Sequence, residues 1–268
     1  QLDVEGQPTK TPYDNAGYMD IAPEDKCENV RREICLLLEQ MGIYPESSHH
    51  EEGPGQNEID FRYSDPLTAA DNTLTFQAVV KTVAERNGLY ADFSPKPLRH
   101  QPGNGFHINI SVKGGNCEDP LSHMIAGILA HISELTVFLN PTVASYERFG
   151  GPKAPEYISW SNQNRSQLIR VPAAVDAYRR AELRSPDPTT NPYLAFALLI
   201  YAGLDGIQQK LPLPAPTDLN LFTASADILA GLQRLPLTLR EAATLAANNS
   251  FVSQYLPKTI VQTYYNQR

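Results

Sequence analysis

The sequence predicts an α+β domain, with one sheet presenting a polar working face and helices packed behind it. Helical apolar periodicity begins repeatedly at an acid or amide followed by proline, short alternating stretches with polar side chains on one parity lie between those segments, and no Gly-rich phosphate loop or internal repeat intervenes. The first helix is predicted from Pro23, which suits a first helical position, through Cys27, Val30, Ile34, Leu37, Leu38 and Met41 to Gly42. Residues 48–63 read as two short strands around Gly53-Pro54-Gly55. Asp65-Pro66 starts a helix running through Val83 to Gly88. Phe106–Val112 alternates strictly, placing His107, Asn109 and Ser111 on one face. Asp119-Pro120 starts a helix burying Leu121, Met124, Ile125, Ile128, Leu129, Ile132 and Leu135. Arg180-Ala181-Glu182-Leu183-Arg184 alternates as a strand would, with Arg180, Glu182 and Arg184 on one face and Ala181 and Leu183 behind. Asn191-Pro192 opens an apolar helix to about Leu211, Pro212, Pro214 and Pro216 form an extended connection, and a capping box at Thr238–Glu241 starts another helix.

With 268 residues the chain suits one large domain or two small ones. A net charge of −8 argues against a nucleic-acid surface, which needs a broad basic face. Cys27, Cys35 and Cys117 have no metal-like spacing and suit a reducing cytoplasm. The longest apolar run, Tyr193–Leu204, is too short to span a bilayer, so no membrane partner is expected. Gln1–Gly6 is polar, without the apolar core of a signal peptide, and opens without Met in what reads as a loop, as a fragment would.

Five arginines, Arg165, Arg170, Arg179, Arg180 and Arg184, crowd the single carboxylate of Glu182. Guanidinium forks match phosphate and carboxylate oxygens two at a time, so a small, strongly anionic ligand is the natural complement. A solvated, salt-bridged strand is the competing reading. Glu51 and Glu58 bracket the Gly53-Pro54-Gly55 bend, which can bring both carboxylates onto one hard cation, although His49-His50-Glu51-Glu52 also reads as an exposed polar strand. His107 is either a hydrogen-bonded core residue or a ligand. Taken together, these residues suit a two-metal phosphoryl-transfer site, and Glu51, Glu58, His107 and Glu182 are expected to line one face of a single sheet.

Ser48-His49-His50-Glu51, Gly55-Gln56-Asn57-Glu58, Phe93-Ser94-Pro95-Lys96-Pro97, Asn104-Gly105-Phe106-His107, Asn164-Arg165-Ser166, Arg170-Val171-Pro172, Arg184-Ser185-Pro186-Asp187-Pro188 and Asn191-Pro192-Tyr193 come in the order and spacing of one family. Across nearly its whole length the chain resembles the catalytic domain of bacterial, dodecamer-forming glutamine synthetases. The resemblance implies a curved, mainly antiparallel sheet backed by helices over residues 1–268. It implies an ATP-dependent ligase in which glutamate's γ-carboxylate takes the terminal phosphate and ammonia then displaces it. In that family Glu51 and Glu58 would hold a first Mg²⁺ or Mn²⁺, and His107 and Glu182 a second. Arg148, Arg184 and Gly103 would bind glutamate, Arg165 and Arg170 the transferring phosphoryl group, and Glu46, Ser111 and Arg180 would lie near the nucleotide. A cytoplasmic homo-oligomer of two hexameric rings is the implied assembly.

Three departures from that pattern stand out. The family's small N-terminal β-domain, and the Glu-x-Glu strand that gives one carboxylate to each metal, would precede Gln1, so weak metal binding and no complete active site are expected of this chain alone. The flap Glu before Ala-Pro is replaced, in Arg148-Phe149-Gly150-Gly151-Pro152-Lys153-Ala154-Pro155, by Lys153. A cation there repels ammonium and cannot take its proton, which questions ammonia as acceptor and leaves a related γ-glutamyl-amine ligase or a regulatory paralogue open; Glu147 and Glu156 lie nearby. Phe222 replaces the family's adenylylated Tyr, so that control is not expected. Arg165 and Arg170 have opposite parity, so either a bulge intervenes in the strand or only one of them meets phosphate.

Overall fold

Each of the three cap-then-proline pairs opens a long helix in the computed structural model, which describes all residues except 114–116, 152, 175–177 and 267–268. The chain forms two compact units, Gln1–Phe93 with Pro97–Gly103, and Ser94–Lys96 with Asn104–Arg268.

The first unit holds α1 (Glu28–Gln40), β1 (Pro45–His50), β2 (Asn57–Phe61) and α2 (Pro66–Arg86). α1 starts later than Pro23 suggests. The Lys26 N–H donates to Asp14 Oδ2 (3.1 Å) and the Cys27 N–H to Asp25 Oδ1 (3.0 Å), so side-chain carboxylates satisfy these donors and regular helix begins at Glu28. α2 follows the sequence reading, with Asp65 accepting from the Thr68 N–H. β1 and β2 pair antiparallel, with His49 opposite Glu58 and His50 opposite Asn57. Ile34, Leu38, Ile43 and Val83 form the core of this unit, and Ile59 and Phe61 of β2 pack on it.

The second unit contains β3 (Ile108–Ile110), α3 (Pro120–Leu139), α4 (Val143–Tyr146), β4 (Trp160–Asn162), β5 (Ile169–Val171), β6 (Ala181–Leu183), α5 (Pro192–Gln209), α6 (Ala226–Ala230), α7 (Leu239–Ala247), α8 (Phe251–Tyr255) and α9 (Lys258–Tyr265). Its sheet runs β3-β6-β5-β4; β3/β6 and β6/β5 are antiparallel and β5/β4 parallel. The α+β class and the mainly antiparallel pairing hold, while the strands expected in one sheet form two separate ladders among the described residues. Ile108, Ile169, Ala181 and Leu183 turn their side chains into a core shared with Ile125, Ile128 and Ile132 of α3 and Leu198 and Leu199 of α5. That leaves the opposite parity of β5 and β6, Arg170 and Glu182, for polar work.

α3 and α5 touch through glycine. A Cβ on Gly127 would lie 2.1 Å from the Ala202 carbonyl oxygen, and one on Gly206 2.1 Å from that of His123, so no larger residue fits either position. By length and composition α3 could cross a membrane, but 72% of its apolar window is buried inside the fold. It is the central core helix. At α7 the Glu241 N–H donates to Thr238 Oγ1, while Glu241 Oε2 accepts from the Leu237 N–H, one residue before the expected partner.

Candidate active site

Antiparallel register carries His49 directly across from Glu58, with Nε2 3.6 Å from Oε1. The chain then turns at residues 51–56, closed by Glu51 N–H to the Gln56 carbonyl (2.8 Å) and Gln56 N–H to the Gly53 carbonyl (2.9 Å). The turn returns Glu51 to the same place, so that one ligand atom each from His49, Glu51 and Glu58 lies within 4.8 Å of the others. All three are half-buried. The two carboxylates suit a hard divalent cation such as Mg²⁺ or Mn²⁺, with phosphate or water oxygens completing the shell, and the imidazole beside them is a ligand that softer divalent ions favour. Sequence reasoning found the two Glu residues and passed over His49, whose signal was its parity with Glu51.

Glu182 is the centre of the second group. It is 5% exposed, and its register partner Arg170 donates Nε–H to Oε2 while Arg184 Nη1 donates to Oε1 at 2.8 Å. His107, immediately before β3, brings Nδ1 to 3.3 Å from the same Oε1. Arg184 is also fixed by Nε–H to the Arg165 carbonyl (3.1 Å) and Nη2 to the Lys153 carbonyl (3.5 Å). Arg148, 2% exposed, donates Nη1–H to the Ser185 carbonyl at 2.9 Å, and its buried Nε has no hydrogen-bond partner among the described residues. The Arg184–Asp187 segment builds this cradle because Asp187, fully buried, accepts from Asn140 Nδ2 (3.0 Å) and holds the chain where the Ser185 carbonyl meets Arg148. Sequence reading did not single out Asp187 or Asn140.

Buried cations set the electrostatics here. Desolvation pushes Arg148 down to about 10, and Arg184 is lowered by burial although Glu182 opposes it. Desolvation, followed by the charges of Arg184, Arg148, Arg170 and Lys153, holds the His107 imidazole well below its ordinary value. The ring is therefore neutral at pH 7 and can offer a lone pair. A carboxylate has about four acceptor positions, so Glu182 Oε2, facing Arg170, keeps one for a cation. Glu182 and His107 thus supply two donors for a second cation beside anion-binding groups, whereas the described residues gather three ligands only at His49, Glu51 and Glu58.

The remaining predicted residues are placed less tightly. Arg165 lies in the turn before β5 and is exposed, which removes the parity problem, because only Arg170 is on the strand. Arg180 Nε donates to Asn109 Oδ1 (3.0 Å) across β3 and β6, as the shared face requires. Ser111 is exposed beyond the end of β3. Glu46, on β1, is exposed and 3.7 Å from Arg62. The Gly103 carbonyl accepts from Gln56 Nε2 at 3.1 Å. Lys153 has a left-handed φ of 57°, in the tight turn where the Gly150 N–H donates to the Ala154 carbonyl. Glu156 is engaged by Arg234 at 3.1 Å.

The family model described as glutamine synthetase, catalytic domain, matches residues 1–268. The glutamine synthetase of Clostridium saccharobutylicum is 44% identical over 98% of this chain and 63% of its own length, and that of Methanosarcina mazei 45% over 98% and 62%. Among solved structures, a GmaS–ADP complex superposes with a TM-score of 0.86 at 29% identity, covering 98% of this chain and 65% of that one. The Plasmodium falciparum glutamine synthetase, solved by cryo-electron microscopy, gives 0.81 at 26% identity over 94% and 60%. The chain thus spans a little under two thirds of the curated relatives' length. With every residue matched and identities well above what fold alone would give, this chain belongs to the glutamine synthetase family.

Proposed function

We propose that the whole protein is an ATP-dependent glutamate–ammonia ligase working through γ-glutamyl phosphate, as a cytoplasmic homo-oligomer of two hexameric rings. The gathering of Arg148, Arg170, Arg184 and neutral His107 around Glu182 carries this reading. Arg148, whose buried Nε–H has no hydrogen-bond partner among the described residues, and Arg184 receive the carboxylate of glutamate. Arg170, with Arg165 from the adjoining turn, stabilises charge on the transferring phosphoryl oxygens, where preorganised cations gain most. Ser111 and Arg180 would contact the nucleotide. Glu51 and Glu58, joined by His49, would hold one divalent cation, and His107 and Glu182 would hold a second. When bound, Mg²⁺ or Mn²⁺ neutralises phosphate oxygens and polarises the phosphorus. The γ-carboxylate oxygen attacks phosphorus and ADP leaves; the amine nitrogen then attacks the γ-carbon, phosphate leaves and the nitrogen loses a proton.

A second reading concerns the amine. Lys153 contributes positive charge at His107, and its carbonyl meets Arg184. A cation in that turn opposes a bound ammonium, so the second reading is a related γ-glutamyl-amine ligase whose amine site is rebuilt around Lys153. The test is phosphate release by the whole protein with ATP, Mn²⁺ and glutamate, comparing ammonia with methylamine. Release that requires both glutamate and an amine is expected. Glutamate-independent release sinks the ligase reading, and faster turnover with ammonia than with methylamine sinks the second.

A further inference from the structure

Two buried side chains fasten the turn that carries Glu51. His50 is 0% exposed and Asp14 6%. Strand alternation sends His50 to the face opposite His49, away from the candidate ligands. Its Nδ1 lies 2.6 Å from the Glu51 carbonyl oxygen, and because a carbonyl only accepts, Nδ1 carries the hydrogen. Its Nε2 lies 2.8 Å from Asp14 Oδ1. The same Oδ1 accepts from the Gly55 N–H at 3.0 Å, and Oδ2 accepts from the Lys26 N–H at 3.1 Å. Asp14 therefore ties the two limbs of the turn together, reaching Glu51 through the imidazole and Gly55 directly, and anchors both to the chain just before α1.

The Glu51 backbone is held at both polar atoms, its N–H by Gln56 and its carbonyl by His50. Gly55 takes a left-handed φ of 63° within the same turn. A short turn held only by its own hydrogen bonds is soft, whereas a cation requires its oxygens placed within a few tenths of an ångström.

We propose that Asp14 and His50 are positioning residues that hold Glu51 at the separation from Glu58 that a divalent cation requires. This rests on the reading of Glu51 and Glu58 as cation ligands. Neither residue supplies a ligand atom; each acts through the backbone of the turn. Partners of this kind usually set metal affinity by about 10–100-fold.

The test is Mn²⁺ binding to the whole protein, followed by electron paramagnetic resonance, with metal-free thermal unfolding measured in parallel. His50→Gln keeps a donor towards Asp14 and gives up the Glu51 carbonyl; Asp14→Ala removes the anchor. Both are expected to weaken the Glu51-dependent Mn²⁺ site by about 10–100-fold at temperatures where the variants stay folded. His50→Asn, which keeps a donor near the Nδ1 position, is expected to recover part of that loss, and it carries the comparison should Asp14→Ala not fold. A lowered unfolding temperature with unchanged Mn²⁺ affinity in the folded variants means that the pair is only structural, and overturns the proposal. Glu51→Gln and Glu58→Gln separate the two levels. If they bind Mn²⁺ as the parent does, the cation site itself is wrong; if they lose it while the His50 and Asp14 variants keep it, only the positioning role is wrong.

Discussion

Glu51 and Glu58 share a hairpin, remain half-buried and meet an imidazole, whereas Glu182 is almost wholly buried between two guanidiniums. The hairpin pair is made by local register and concentrates negative charge near solvent, where a cation can enter. The second centre is made by a sheet whose back face is core, and it concentrates positive charge around one anion. The difference shows that a carboxylate's partners and burial, more than its identity, decide which charge a site collects.

The sharpest break of that comparison is Glu182→Ala. It leaves Arg184 buried without its carboxylate, which typically costs about 3–5 kcal/mol, and turnover should disappear with it. Glu51→Gln should instead leave metal-free stability within about 0.5 kcal/mol of the parent while Mn²⁺ binding falls. Urea unfolding of the metal-free variants measures both, and equal losses would end the contrast.

Arg170→Gln comes next. It removes the cation proposed to meet the phosphoryl group without emptying the core, so kcat should drop by about 10²–10³-fold with a much smaller change in KM for ATP. A change confined to KM would place Arg170 in ground-state binding only. Lys153→Glu should act in the opposite direction, raising ammonia-dependent turnover by up to about 10²-fold, the lower end of what a general base supplies. Unchanged or reduced ammonia use would make Lys153 a solvated flap residue.

The smallest effect lies in two histidines that repeat the comparison. His131 bridges Glu134 Oε1 (2.6 Å) and Asp205 Oδ2 (2.9 Å) and stacks on Phe251. Burial opposes its charge, but the two carboxylates win and raise its pKa. Its contribution to stability is complete below the unfolded value of about 6.5 and is lost as pH rises through the folded one. His107 is shifted downward, so its contribution is present above about 6.5 and is lost as pH falls. Melting temperatures across that range should show the alkaline loss shrinking in Asp205→Asn, where only Glu134 still holds the imidazole, with the acid-side loss remaining. A flat alkaline limb in the parent would contradict the assignment for His131.

Helices were legible wherever a cap preceded proline, because capping and the 3.6-residue period are properties of neighbouring residues. The face shared by Arg180, Glu182 and Arg184 was legible for the same reason, through the two-residue period of a strand. Ordered motifs then pointed to the family and to most of the candidate site. Other features needed the fold. Pro23 looked like a helix start until Asp14 and Asp25 took the first N–H donors, and Arg165 looked like a strand residue until a turn claimed it. The division of the strands into two ladders, the return of His49 to Glu58, and the dependence of Glu51 on Asp14 through His50 are all invisible along the chain. By itself the sequence determined the long capped helices, the polar face of Arg180, Glu182 and Arg184 and which family the chain resembles, since these follow from local periodicity and ordered motifs. Tertiary structure alone decided which charges meet and which are buried, since Coulomb and desolvation energies depend on distance and depth, and neither is set by position in the chain.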